Sequence, residues 1–371
     1  MSMKRVIVVG AGVVGLTLAK ELALRNMEVE VFDAKKNVAD GAVKASGIFS
    51  VTGLDRIGIE FEAAKVNTLD GAVLHAGKEK LRVKSKRTMA YVVDRGILAE
   101  ICKKTALKAG AKVTLNRKFS RKELHEIAQD KNNILVGADG AVSTVASSFS
   151  FPSIKEYVLT YKAEYRKATV EDPHLVGLFF SKEIAYRFFG WSCPYSKDRL
   201  EIGIGISDRA KTNSLAAYSK FEKSGWLDGS LKNAEKLNGH ASLIPLSSRK
   251  ATVKNNVMLV GDAAGQVKAT TGGGVIFGCS CAKILANTIK NNFEKGTPLT
   301  HYEKEWRRRY NLDLRMHHLL HSYYSNLRVN NFEVFLKISK MLGAEEFFSK
   351  YGDMDRPSLM LKRFFLRGLA K

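Results

Sequence analysis

The fold of this chain is decided by the stretch Gly10-Ala11-Gly12-Val13-Val14-Gly15. It follows the apolar run Val6 to Val9 and precedes a segment with helical spacing, Leu16 to Arg25. The next segment, Glu28 to Phe32, alternates as a strand does and ends at Asp33. A strand, a glycine turn, a helix and a second strand ending in an acid predict a dinucleotide-binding βαβ unit.

Each part of this loop has a physical reason. Gly10 permits the tight turn, Gly12 lets the backbone approach a pyrophosphate, and Gly15 lets the helix and the strand pack closely. The unpaired N–H groups at the start of the helix face the phosphates, and the acid that ends the second strand can bind an adenosine ribose. The predicted dinucleotide contacts are therefore Gly10, Gly12, Val14, Gly15 and Asp33.

A second glycine-rich stretch, Gly261 to Gly274, indicates which dinucleotide is bound. It follows the buried-strand pattern Asn256 to Val260 and precedes another helical segment, Val275 to Asn291. Asp262 at the carboxyl edge of that strand can hold a ribityl hydroxyl, and the amides of the following helix can stabilise the reduced isoalloxazine ring. This combination favours FAD over NAD. The predicted cofactor contacts here are Asp262, Gly273, Gly274 and Val275.

A third motif lies between the other two. The strand pattern from Ile134 to Val136 leads to Asp139-Gly140, which alone is an ordinary turn. The three motifs together resemble the fingerprints of the FAD-dependent oxidoreductase superfamily that shares the hydroxybenzoate hydroxylase fold, although Ala146 stands where the Asp-Gly fingerprint often has Arg. The resemblance implies that Asp139 contacts the cofactor, as does Arg95 at the head of a helical segment.

Within that superfamily the chain is similar to the geranylgeranyl reductase family, which hydrogenates isoprenoid chains. The amino-acid sequence from Gly261 to Gly274 carries this resemblance. Two further segments also carry it: Phe189 to Pro194 is similar to the YxWxFP signature of that family, and Glu201 to Ile206 is similar to its GxG signature. Phe189 replaces the Tyr of the signature, and Cys193 replaces its Phe. The resemblance implies a substrate wall of Phe189, Trp191 and Pro194.

The loop Val43 to Gly47 follows the second strand, where many relatives carry a cysteine beside the flavin. This chain has no cysteine there, so any function of that thiol is absent or supplied differently. The resemblance implies backbone contacts to the cofactor from Lys44, Ala45 and Gly47. No catalytic acid is identified by the sequence.

The order of the motifs predicts an α/β fold made of an FAD-binding Rossmann-like βαβ lobe, an inserted antiparallel-sheet substrate domain and a C-terminal helical region. We expect the FAD-binding domain to contain residues 1–70, 95–150 and 245–296. The substrate-binding domain is expected at 71–94 and 151–244, and the helical region at 297–371.

The composition fits a cytoplasmic enzyme with a large core. The chain has 371 residues, 45% of them hydrophobic, and its four cysteines in so long a chain favour a reducing compartment over a disulfide framework. No run of 18 apolar residues exists, so no spanning helix is expected. His317 and His321 share a helix face, as some metal pairs do, but no nearby acid or thiol completes a site, so we predict no metal.

The formal charge of +23 indicates an acidic partner or surface. No nucleic-acid-binding module has a recognisable signature, so we expect no nucleic acid. An anionic membrane is the acidic surface that fits a lipid substrate. We therefore expect the protein to associate peripherally with the inner face of the cell membrane. The segment Leu361 to Leu369 has the spacing of an interfacial helix, and packing on the FAD lobe explains it equally well. An acidic ferredoxin-like electron donor would also use this charge, and a reduced nicotinamide or deazaflavin is the other donor class.

The family resemblance implies hydride transfer from reduced flavin to the C=C bonds of geranylgeranyl chains in isoprenoid ether phospholipids. Two alternatives stay open at this point. One is an FAD-dependent monooxygenase that acts on an aromatic or polyene substrate, and the other is a flavoprotein that carries electrons to quinone.

Overall fold

The computed structural model describes residues 4–327, 329–360 and 362. Its strands, in chain order, are β1 (Arg5–Val9), β2 (Glu28–Phe32), β3 (Ile48–Ser50), β4 (Lys65–Leu69), β5 (Gly71–Ala76), β6 (Glu79–Lys84), β7 (Ala90–Val93), β8 (Lys112–Thr114), β9 (Asn133–Gly137), β10 (Tyr157–Arg166), β11 (Leu175–Phe179), β12 (Gly190–Pro194), β13 (Arg199–Ser207), β14 (Glu235–Pro245), β15 (Val253–Lys254) and β16 (Val257–Leu259).

The helices, in chain order, are α1 (Val13–Ala23), α2 (Ala39–Ala42), α3 (Val51–Ile57), α4 (Arg95–Lys108), α5 (Arg121–Gln129), α6 (Thr144–Ser148), α7 (Ser214–Glu222), α8 (Asp228–Leu231), α9 (Val275–Lys295), α10 (Thr300–Asn326), α11 (Val329–Met341) and α12 (Ala344–Tyr351). Two short 3₁₀ segments lie at Glu62–Ala64 and Gly261–Ala264.

The first sheet has the strand order β15-β16-β9-β1-β2-β8, and its pairs are parallel apart from β15 with β16. Helix α1 packs against both α4 and α9, so that Leu16, Leu18 and Leu22 are fully buried. Because the carboxyl ends of parallel strands meet at one edge, β1, β2, β9 and β16 bring their following loops together. The predicted βαβ unit and its neighbouring strands are confirmed.

The second sheet has the order β14-β10-β13-β12-β11-β5-β6 and is antiparallel except for β11, which pairs in parallel with β5. Helix α7 covers one face, where Tyr218 and Phe221 pack with the isoleucines of β13. The sequence correctly predicted an antiparallel sheet inserted between parts of the first lobe. The parallel pair arises because β5 and β11 come from separate insertions.

A third, small sheet has the order β3-β7-β4. The predicted substrate domain includes residues 71–94, yet β7 pairs with β3 and β4 rather than with the second sheet. Residues 90–93 therefore share the small sheet with two strands from the segment predicted as FAD-binding. The domain limits stay a prediction.

Helices α10, α11 and α12 lie in the C-terminal region, which the sequence predicts as helical. Helix α11 lies on the edge of the second sheet, where Phe332 and Leu336 pack with Ala76 and Leu81. Apart from Lys362, the predicted interfacial segment 361–369 lies outside the described residues. In the described part of the chain, no helix combines the length and apolar character needed to cross a bilayer.

Candidate cofactor and substrate site

The first glycine loop is shaped by close contacts and left open on one side. Gly10 has a φ of +112°, and a Cβ at this position would overlap the carbonyl of Ala138. A Cβ at Gly15 would overlap the carbonyl of Gly10, as expected where the helix crosses the strand closely. A Cβ at Gly12, in contrast, would meet no described atom within 4 Å. The loop therefore leaves space where the sequence predicts a pyrophosphate.

Asp33 fixes the same loop from the end of β2. Its Oδ2 accepts a hydrogen bond of 2.8 Å from the amide of Ala11, and its Oδ1 accepts one of 2.9 Å from the amide of Lys35. Oδ2 also lies 3.4 Å from Lys35 Nζ, while Oδ1 can accept a further bond and so leaves acceptor capacity for a ribose hydroxyl. The predicted ribose contact remains a prediction with compatible geometry.

Arg95 at the start of α4 and Asp262 after β16 carry opposite charges, and each affects the pKa of the other. The Nε of Arg95 is buried without a hydrogen-bond partner among the described residues, and its guanidinium lies 5.1 Å from the ring centre of Phe49. Burial lowers the pKa of Arg95, and the Asp262 carboxylate opposes that change. Burial raises the pKa of Asp262, and Arg95 opposes it in turn. Both groups would gain from a polar ligand between them.

The amino end of α9 adds unpaired donors near Asp262. Gly274 occupies the N-cap position, which gives the helix no side-chain cap, and α9 is 21 residues long. A side chain at Gly274 would approach Oδ1 of Asp262, so the helix start and the carboxylate are adjacent. Open space at Gly12, an orphaned donor on Arg95 and an uncapped helix together fit FAD.

Two other predicted cofactor residues have structural partners. Asp139 accepts hydrogen bonds of 2.6 Å from Ser143 Oγ and 3.1 Å from the amide of Val145, so its carboxylate holds the start of α6. This is the ordinary use of an Asp-Gly turn followed by a helix cap. The side chain of Val14 lies against Gly261 and Gly278, which brings α1 and α9 together. Neither contact tests the predicted cofactor role.

The loop 43–47 contacts the substrate sheet. Gly47 is buried, and a Cβ there would overlap the carbonyl of Val93, while Lys44 is exposed. The carbonyl of Ala45 accepts a hydrogen bond of 3.1 Å from Lys162 Nζ. Ser46 donates its hydroxyl proton to Oε1 of Glu201. The loop predicted to lie beside the flavin is thus tied to β10 and β13.

Glu201 is the centre of a buried polar network that the sequence interpretation missed. It has no exposed surface, and its Oε2 accepts hydrogen bonds of 2.7 Å from Lys162 Nζ and 2.9 Å from the Tyr195 hydroxyl. Trp191 Nε1 donates to Oε1 at 2.8 Å. Burial acts to raise the pKa of Glu201, but Lys162 and the hydrogen bonds outweigh it and hold that pKa below its usual value. The sequence signal that could have revealed this network is the acid Glu201 beside the apolar run of β13, together with Lys162 in the middle of β10.

The predicted substrate wall differs in exposure along its length. Trp191 is half-buried, and its ring occupies the space that a Cβ on Gly203 would fill, which explains a glycine in the GxG signature. Phe189 is buried and stacks on Phe188 with 4.3 Å between ring centres. The carbonyl of Pro194 accepts a bond of 2.9 Å from Asn67. Trp191 is therefore the best placed of the three to meet a ligand.

The four cysteines and His317 are buried and have partners within the protein. The four thiols are buried, and Cys279 Sγ lies 3.4 Å from Thr17 Oγ1. His317 lies between Thr270 Oγ1, at 2.7 Å from Nδ1, and the carbonyl of Asp355, at 3.2 Å from Nε2. Burial lowers the pKa of His317 to about 4, so the ring is neutral at pH 7.

Comparison with known proteins agrees with this geometry. A family model described as FAD dependent oxidoreductase matches residues 5–142. A digeranylgeranylglycerophospholipid reductase of Methanococcus aeolicus is 26% identical over 327 residues, which are 82% of each chain. The solved structure of a geranylgeranyl bacteriochlorophyll reductase-like protein from Thermoplasma acidophilum matches with a TM-score of 0.80 and 18% identity, over 96% of this chain and 94% of the other.

The chain is similar to digeranylgeranylglycerophospholipid reductases over 82% of its length, at 25–26% identity. It is accordingly an FAD-dependent oxidoreductase, as the two glycine motifs predicted. An uncharacterised protein of Methanocaldococcus jannaschii is 25% identical over 371 residues, covering 96% of this chain and 94% of that protein. Sequence similarity to this uncharacterised protein therefore extends over nearly the whole chain and includes the second sheet.

Proposed function

We propose that this protein hydrogenates the C=C bonds of geranylgeranyl chains in isoprenoid ether phospholipids. The observation that carries the proposal is that Ser46 and Trp191 both donate to Oε1 of Glu201. Ser46 belongs to the loop of the cofactor lobe, and Trp191 belongs to the predicted apolar wall. Their shared acceptor supports an aromatic surface beside the proposed flavin site, as reduction of an apolar alkene requires.

The proposed cofactor contacts are those of the two glycine loops, Asp33, the backbone of loop 43–47, Arg95, Asp139 and Asp262. When bound, reduced FAD would supply a hydride to one carbon of the prenyl double bond. The chain itself orients the alkene with aromatic faces and excludes water. We propose that Lys162 Nζ holds the proton needed by the second carbon, since it is buried and linked through Glu201 to Ser46 and Tyr195.

We also propose peripheral association with an anionic membrane and a reductant that docks on the basic surface. The formal charge of +23 supports both, and a bilayer is where a prenylated phospholipid is found. Ferredoxin, a reduced nicotinamide and a deazaflavin remain the candidate donors.

The proposed activity can be measured by mass spectrometry of lipids from a host that makes unsaturated isoprenoid ether lipids and expresses this protein. We expect the mass of two hydrogens to be gained for each double bond reduced, with no change in a host carrying the empty vector. Incorporation of oxygen coupled to NAD(P)H oxidation would instead support the monooxygenase alternative. Reoxidation of the reduced protein by quinone, with no change in lipid mass, would support an electron carrier.

Asp262→Ala should weaken FAD retention by about 1–3 kcal/mol, because a buried carboxylate would no longer accept hydrogen bonds from the cofactor. The measurement is titration of the apoprotein with FAD, followed by chromatography of the chromophore released on heating. Asp262→Asn keeps one oxygen acceptor and should lose less. Asp55→Ala, at an exposed position on α3, is the control and should bind FAD as the wild type does. Equal affinity for the wild type and Asp262→Ala would remove Asp262 from the proposed site.

A further inference from the structure

Helix α11 is apolar on two faces, and among the residues that the structure describes only one of them has a packing partner. Phe332 and Leu336 are buried against β5 and β6. On the other side, Val334, Ile338 and Met341 follow helical spacing and are 55%, 50% and 80% exposed. A surface helix needs one apolar stripe to pack on its domain, so folding does not account for the second stripe.

The exposed stripe continues onto α10. The rings of Tyr323 and Phe335 lie 6.3 Å apart and join the two helices, and Leu319 stands one turn before Tyr323. Scattered exposed apolar residues are normal on a protein surface, but a continuous group of this kind marks an interaction site. We name this group the α10–α11 face, and its members are Leu319, Tyr323, Val334, Phe335, Ile338, Met341 and Leu342.

An aromatic row connects the back of α11 to the proposed reaction site. Phe332 stacks on Phe180 with 4.3 Å between ring centres, and Phe180 lies 5.7 Å from Phe189. Phe189 in turn lies 6.3 Å from Trp191. A cleft lined by Phe180, Phe188 and Phe332 opens at the outer end of this row. The aromatic row thus leads from the buried side of α11 to the predicted substrate wall.

The charges around the α10–α11 face are complementary to an anionic surface. Lys337 and Lys340 project from the same helix, and Arg315 and Lys350 lie on the helices before and after it; all four are exposed. Exposed apolar residues with interleaved cations are typical of helices that lie in the interface of an anionic bilayer. The chain as a whole carries a formal charge of +23.

We propose that the α10–α11 face docks on an anionic lipid bilayer and that a prenyl chain enters through the aromatic row behind α11. Docking follows from the exposed apolar residues and the charge alone. The path of the prenyl chain rests on the proposed function. Insertion of this face would place the outer end of the row at the level of the acyl chains, so the substrate would pass from membrane to enzyme without crossing water.

The test is sedimentation of the purified holoprotein with vesicles of phosphatidylglycerol and phosphatidylcholine in equal parts, and with vesicles of phosphatidylcholine alone. We expect retention on the anionic vesicles. We also expect a loss of about tenfold or more in apparent affinity for the variant Ile338→Glu with Met341→Glu, since two inserted apolar side chains become charged. Leu24→Glu and Leu215→Glu are matched controls at positions 60% and 51% exposed on other surfaces. They should bind as the wild type does.

An equal loss from the control variants, or no loss from the double variant, would overturn the docking surface. A change from dimer to monomer in the double variant would also overturn it, because the face would then join two copies of the chain. Reduction of a short, water-soluble prenyl compound without vesicles should be the same in wild type and double variant. If the wild type binds vesicles but reduces no prenyl compound, the proposed function fails and the docking surface stands.

Discussion

Lys162→Met should lower the free energy of unfolding by about 3–5 kcal/mol, because it leaves the Glu201 carboxylate buried without its cation. The two side chains are 5% and 0% exposed, and their charged atoms are 2.7 Å apart. Hydrogen bonds from Ser46, Trp191 and Tyr195 would remain, but they cannot replace a full charge. Urea unfolding followed by circular dichroism measures the loss.

A double variant separates the buried charge from the loss of packing. Lys162→Met combined with Glu201→Leu should recover much of the stability, since an apolar pair often replaces a buried ion pair at little cost. Arg166 lies on the same strand as Lys162 and forms an exposed ion pair with Glu235 of β14. Arg166→Met breaks this pair and should lower the free energy of unfolding by less than about 1 kcal/mol. A similarly small loss of stability for Lys162→Met would mean that water reaches Glu201. The proposal that Lys162 holds the proton for the second carbon would then have no basis.

Gly12→Ala should reduce FAD affinity by about ten- to hundredfold while leaving the apoprotein folded. The added methyl group meets no described atom of the protein within 4 Å, so its only obstacle is the cofactor that the loop is expected to hold. The φ of Gly12 is −73°, a value that alanine adopts without strain. Fluorescence titration of the apoprotein with FAD measures the affinity, and a thermal melt without FAD reports the fold.

Gly15→Ala provides the comparison for this experiment. Its methyl group would overlap the carbonyl of Gly10, so we expect lower stability of the apoprotein as well as poor FAD binding. If Gly12→Ala binds FAD with unchanged affinity, the pyrophosphate does not cross this part of the loop. If it instead melts like Gly15→Ala, the effect is structural and says nothing about the cofactor.

The cofactor lobe could be predicted from sequence because its determinants are local. Each of its signals is a short strand pattern, a glycine turn or a helical segment whose residues are neighbours in the chain. The helical segment predicted from Val275 to Asn291, for example, is observed as Val275–Lys295. The parallel sheet then places the loops together without further information.

The parts that could not be predicted depend on distant residues. Ser46, Lys162 and Glu201 meet only because β10 and β13 pair in one register, with Lys162 opposite Gly203, and because that face of the sheet lies against loop 43–47. The placement of β7 depends likewise on a choice between two sheets. The double apolar character of α11 is visible in its sequence, but which stripe is covered depends on the neighbouring strands.

The pairing order of the first sheet has a consequence for how the chain acquires its structure during translation. Strand β9 pairs with β1 on one side, but its other neighbour, β16, is synthesised only after the whole substrate sheet. Until then an apolar strand edge is open, and such edges invite pairing with other chains. The high sequence separation of these contacts also slows folding. The two lobes are therefore completed together, and cutting the chain at residue 142, where the family model ends, would leave the nascent sheet with an unpaired edge.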